Sequence, residues 1–114
     1  MPRDEVRLRH MLEYAREAIE LARGRARSDL DSDRMLNLAL VRLLEIVGEA
    51  AHRVSPETRA RLSEIPWESI VGLRHRLIHG YDQVDFDILW QIIKDDLPQL
   101  VESLDEALRR DTAP

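Results

Sequence analysis

The amino-acid sequence predicts an all-α protein: a bundle of four long helices plus one short helix, in a single domain over residues 1–114. Three observations predict it. The chain is 44% hydrophobic but only 4% aromatic, so its core must come mostly from Leu, Ile, Val and Ala, which favours helices. Apolar residues recur at steps of three and four along most of the chain, the period of a helix with one buried face. No repeat or low-complexity stretch interrupts them, and only four glycines punctuate the sequence.

The first helix spans about Asp4 to Arg23, with Leu8, Met11, Leu12, Ala15, Ala18, Ile19 and Ala22 on one stripe. The polar "RGRARSDLDSD" then breaks the pattern at Gly24. The second helix spans about Ser32 to Val54, capped by Asp31 or Ser32. Met35, Leu38, Ala39 and Ile46 widen its apolar face past half the circumference, as in a helix that is central or shared with another subunit. Ala39, Gly48, Ala50 and Ala51 are small, so another helix can approach closely. Ser55 with Pro56 starts a short third helix that Pro66 stops. The fourth begins near Trp67, with Ile70, Val71, Leu73, Leu77 and Ile78 as its further apolar positions, and Gly80 suits a left-handed residue just past its end. The last is capped by Asp85 and carries its stripe from Phe86 to Leu108, with a kink at Pro98.

Bulk properties narrow the function. The net charge of -5 argues against broad, nonspecific nucleic-acid binding but leaves room for a local basic site. There is no cysteine, so disulfides and thiolate metal sites are out, and a cytoplasmic location fits. No apolar run nears the roughly 20 residues of a membrane span.

The chemistry concentrates in "RHRLIHGY", residues 74–81. His79 can take or give a proton near neutral pH. The planar fork of Arg74 suits a phosphate. On a straight helix, five steps set the two about 140° apart, but a helix ending near Leu77 lets His79 swing back. A proton carrier beside a phosphate clamp suffices to cut RNA at its own 2′-hydroxyl, with no metal or cofactor. A two-fold dimer would pair two such sets across a groove, one histidine as base and the other as acid. The plainer alternative is a pair of cations favoured by a helix C-terminus. Tyr81 follows Gly80 in an expected loop, so its hydroxyl is either reachable or packed over the helix end.

These residues resemble the motif of the HEPN superfamily, and of its HepT-like toxin family in particular: Arg, four residues, His, one residue, Tyr. Arg74, His79 and Tyr81 meet it. "IVGEAAHRVSPE", with Gly48, Glu49 and Ala50, and then "IPWESIVGLRHRLIHGY", with Trp67, follow in the family's order over nearly the whole chain. The resemblance implies an all-helical homodimer that acts as a metal-independent ribonuclease toxin of a type II toxin–antitoxin system. Its partner is an antitoxin of the minimal nucleotidyltransferase type, which moves AMP from ATP onto the motif tyrosine. Carried over, Arg74 and His79 are catalytic, His75 supports them where the family more often has Asn, and Tyr81 is AMPylated. Glu49 is a possible support that orients the arginine, with Glu45 a turn away.

Three rivals stand beside this reading. His75 and His79 have the i, i+4 spacing of two zinc ligands on a helix, although Arg76 follows where zinc proteases have Glu. "EAAH", Glu49 to His52, matches the Glu-x-x-His of di-iron bundles. The chain is otherwise a non-catalytic helical module that docks a nucleotidyltransferase. Arg76 has no assigned role.

Overall fold

In the computed structural model, which describes residues 2–112, the expected helical bundle is present. Its frame is α1 (Pro2–Ala22), α3 (Arg34–His52) and α8 (Leu97–Thr112). α1 packs on both of the others. It does so through the stripe read from sequence: Leu8, Met11, Ala15, Ala18 and Ala22 are all buried. Gly24 ends α1 with a φ of 75°, a left-handed turn that side chains disfavour.

The second expected helix is shorter and preceded by another. One turn, α2 (Asp29–Ser32), comes first, and α3 starts at Arg34. Its N-cap is Asp33, not Asp31 or Ser32. The Asp33 backbone is extended and its carboxylate accepts from the Leu36 N–H at 3.0 Å. Arg25 binds the other oxygen at 2.6 Å, and the Leu36 bond and this arginine hold Asp33 below the usual carboxylate range. The cap is thus chosen by a contact eight residues back. Ser55 behaves as expected, accepting from Thr58 N–H ahead of Pro56 in α4 (Pro56–Arg61).

The fourth expected helix is broken at Gly72 into α5 (Trp67–Val71) and α6 (Leu73–Leu77). Glycine has the most backbone entropy to lose and no side chain to bury, so a helix yields there first. The small residues of α3 do bring a neighbour close. A Cβ on Gly48 would sit 2.9 Å from the Ile70 carbonyl oxygen of α5. That approach seats α5, and α6 after it, on α3.

Beyond Leu77 the chain does not enter a left-handed cap. Ile78 is already extended, and β1 (Ile78–Gly80) pairs antiparallel with β2 (Gln83–Val84). Among the described residues only Gly24 has a positive φ, so Gly80 is not a left-handed helix stop. α7 (Phe86–Gln91) follows, with Asp85 as the expected N-cap. The disturbance at Pro98 takes the form of a π turn, Ile92–Asp96, that leads into α8. Pro98 lacks an N–H and crowds the carbonyl of Lys94, and widening the preceding turn relieves both. α8 continues to Thr112, past Leu108, where the apolar stripe ends.

One polar cluster is sealed inside. Asp4 of α1 is 6% exposed. It accepts from Ser55 N–H (3.1 Å), Ser55 Oγ (2.6 Å) and Thr58 Oγ1 (2.5 Å), tying the first turn of α1 to the start of α4.

Candidate active site

α6 sorts its five residues by direction. Leu73 and Leu77 are buried and fix the segment on the core. Arg74 and His75 are exposed and face a groove against α3. Arg76, which the sequence left without a role, reaches the π turn, with Nη2 3.7 Å from Asp96 Oδ2. Successive helical residues are 100° apart, so neighbours in one short turn can serve the core, the groove and the π turn.

Arg74 is 73% exposed and lies 3.9 Å through Nε from Glu45 Oε2 of α3. The terminal nitrogens of its fork therefore remain for another acceptor. Glu49 was the expected support, but it faces Arg53 at 3.6 Å. Both glutamates line the groove, and Glu45 is the one nearer the arginine.

His79 is in the hairpin. Ile78 pairs with Val84 and Gly80 with Gln83, so β1 holds one residue more than β2 across that interval. His79 is that extra residue. A bulge unpairs a residue from the ladder and re-aims its side chain. The imidazole Nε2 comes to 3.7 Å from Asp85 Oδ2. Asp85 does three things at once. Its N–H donates to the Leu77 carbonyl at 2.8 Å, its Oδ1 accepts from Ile88 N–H at 3.0 Å, and its Oδ2 faces His79. It closes α6, starts α7 and steadies the histidine. Sequence alone showed only the cap, because the link to His79 depends on the unexpected hairpin.

Tyr81 and Asp82 form the two-residue hairpin turn. The Tyr81 side chain is fully exposed, so it does not pack over the helix end.

Arg74 and His79 are both exposed but stand beside carboxylates on different elements, Glu45 and Asp85. The helix does end at Leu77, as their convergence required. Within one chain the swing takes His79 to Asp85 rather than to Arg74. The end of α6 also removes the helical relation between His75 and His79 on which the zinc rival rested. Glu49 and His52 of the di-iron rival are exposed. Among the described residues no three His, Asp or Glu side chains gather as a metal site would need. No helix among them is long and apolar enough to cross a membrane.

Residues 11–107 match the family described as ribonuclease HepT-like. A candidate RNase of Caldanaerobacter subterraneus subsp. tengcongensis is 36% identical over 91% of this chain and 93% of its own length. A candidate RNase of Methanocaldococcus jannaschii is 34% identical over 83% of this chain and 87% of its own. A candidate ribonuclease HepT of Thermococcus cleftensis is 38% identical over 78% and 84%. No solved structure matches the chain significantly.

Proposed function

The chain belongs to the HepT-like ribonuclease family, and on that premise we propose that it is an endoribonuclease toxin, silenced by AMPylation of Tyr81. The observation that carries the reading is the exposure of all three motif side chains. Arg74, His79 and Tyr81 all face outward, and neighbouring carboxylates steady the first two.

The chemistry follows from these groups. The 2′-oxygen of a ribose attacks the adjoining phosphorus, the bond to the 5′-oxygen breaks, and a 2′,3′-cyclic phosphate remains. One proton leaves the 2′-hydroxyl and one arrives at the departing oxygen. His79 carries a proton at one of these steps. Arg74 offsets the charge that builds on the phosphate oxygens. His75 lines the same groove and binds substrate beside Arg74. No metal or cofactor takes part.

One chain presents one His79, the histidine assigned to proton transfer, so both proton steps are best served by a homodimer. Met35 and Leu38 of α3 are large, apolar and exposed. Met35 lies seven residues before Arg42, and Leu38 lies four before Arg42 and seven before Glu45, on the stripe that continues into the groove. A two-fold contact there sets two sites side by side.

Tyr81 supplies the off-switch. Its phenolic oxygen attacks the α-phosphorus of ATP, pyrophosphate leaves, and the phenolic proton is released. The catalyst is a minimal nucleotidyltransferase antitoxin. AMP on Tyr81, two residues from His79, brings bulk and negative charge against incoming RNA.

The test uses the purified protein with RNA in a chelator. Wild type is expected to cut, leaving cyclic phosphate ends, and Arg74→Ala to lose the activity. RNA left intact by wild type reduces the protein to a docking module. Coexpression with the antitoxin is expected to add one AMP per chain by mass, and Tyr81→Phe to remove it.

A further inference from the structure

The α3 wall of the groove carries a cation that the scheme above leaves unused. Arg42, Glu45, Glu49 and His52 follow at steps of three and four, so they form one stripe. With Arg74 and His75 of α6 they line one open groove. The charges along it are unevenly matched. Glu49 faces Arg53, and Glu45 stands near Arg74 Nε. Exposed arginines elsewhere, such as Arg9, Arg16, Arg23 and Arg25, sit in ion pairs. Arg42 is exposed and has no hydrogen-bond or ion-pair partner among the described residues.

We infer that Arg42 binds an RNA backbone phosphate that flanks the one held by Arg74. The inference rests on the ribonuclease reading and adds a binding residue to it. Arg42 is one helical turn from Glu45, the carboxylate beside Arg74. Glu45 therefore neighbours Arg42 along α3 and Arg74 across the groove. A carboxylate there repels phosphate and keeps both cations from closing on a single one. The groove then holds two backbone phosphates in a fixed register. This also resolves a conflict of charge. A chain of net charge -5 repels RNA at long range, so affinity must come from local cations with unspent donors. Arg42 takes no part in proton transfer, so its effect belongs on binding.

The experiment measures binding of a single-stranded RNA with a 2′-O-methyl group on every ribose, which cannot be cut by this chemistry, across a salt series. Arg42→Ala is expected to weaken binding about tenfold and to lower the slope of log affinity against log salt by about 0.7. On cleavable RNA, KM is expected to rise while kcat holds. Arg42→Lys is expected to restore most of the affinity, and Arg23→Ala, a charge control on another face, to bind as wild type. Arg42→Ala with wild-type affinity and slope, in a protein that still cuts RNA, overturns the inference alone. So does a change of oligomeric state in place of a change in RNA affinity. Wild type that binds through Arg42 but never cuts overturns the nuclease reading and leaves the phosphate site standing.

Discussion

Two polar clusters of the molecule are built in opposite ways. At the corner of α1 and α4, Asp4 is sealed from water and gathers three hydrogen bonds of 2.5–3.1 Å. At the edge of α6 and the hairpin, Arg74 and His79 are open to water and stand 3.9 and 3.7 Å from their carboxylates. Burial raises the Asp4 pKa, but hydrogen bonds from Ser55 and Thr58 outweigh it and leave the carboxyl below its ordinary value. A polar group closed in this way has no capacity left and serves the fold. A polar group held loosely from one side keeps donors for a substrate. The difference separates stability from chemistry, and substitutions can test the separation.

The largest effect is expected at the open cluster. His79→Ala should slow RNA cleavage about 10²–10⁴-fold, with unfolding free energy within about 0.5 kcal/mol of wild type. A matching collapse in thermal stability would show that the two clusters are not separate. Asp4→Ala should do the reverse. It strands the Ser55 N–H and two hydroxyls, so chemical denaturation should show a loss of about 2–3 kcal/mol, while the folded fraction cuts RNA normally. Its pH dependence has a definite sign. The folded pKa lies below the ordinary 3.8, so the Asp4 contribution is complete above that value and is lost as pH falls through the folded pKa. Denaturation midpoints between about pH 5 and pH 2 should fall less steeply in Asp4→Ala than in wild type.

Asp85 belongs to both kinds of region, so two variants split its roles. Asp85→Ala should lose about 1 kcal/mol through the cap, whereas Asn keeps most of that bond. Both remove the charge facing His79, and both should cut RNA about tenfold more slowly. An Asn variant as fast as wild type means the 3.7 Å approach does nothing for the reaction. The smallest effect is expected at Gly80. Its φ is not positive, and the nearest atom to an added Cβ is 3.9 Å away. Gly80→Ala should stay within about 0.5 kcal/mol of wild type by thermal melting.

Legibility in the sequence follows the range of the forces involved. The stripes of α1, α3 and α8 and the caps Ser55 and Asp85 depend on residues within a turn or two, and local spacing reveals them. The break at Gly72 and the bulge at His79 do not. Each is a choice between near-equal local conformations that packing against α3 and α7 decides. The same holds at the site. Arg74, His75, His79 and Tyr81 stand out by type and order. The preference for Glu45 over Glu49 needs the seating of α6 on α3, which rests on the approach of the Ile70 carbonyl to Gly48. Arg42 carried a signal, its one-turn spacing from Glu45, but only the groove shows that no glutamate claims it.

Under the proposed AMPylation of Tyr81, the bare tip of the hairpin bears on how the protein could be stored. Tyr81 buries nothing, so a group attached to it leaves the packed scaffold as it was. Tagged and untagged chains should melt together, and proteases that wait for global opening should clear them at one rate. A cell can then hold a standing reserve of tagged chains, ready-folded. Returning one to its bare form takes the breaking of a single surface bond, with no new synthesis and no refolding.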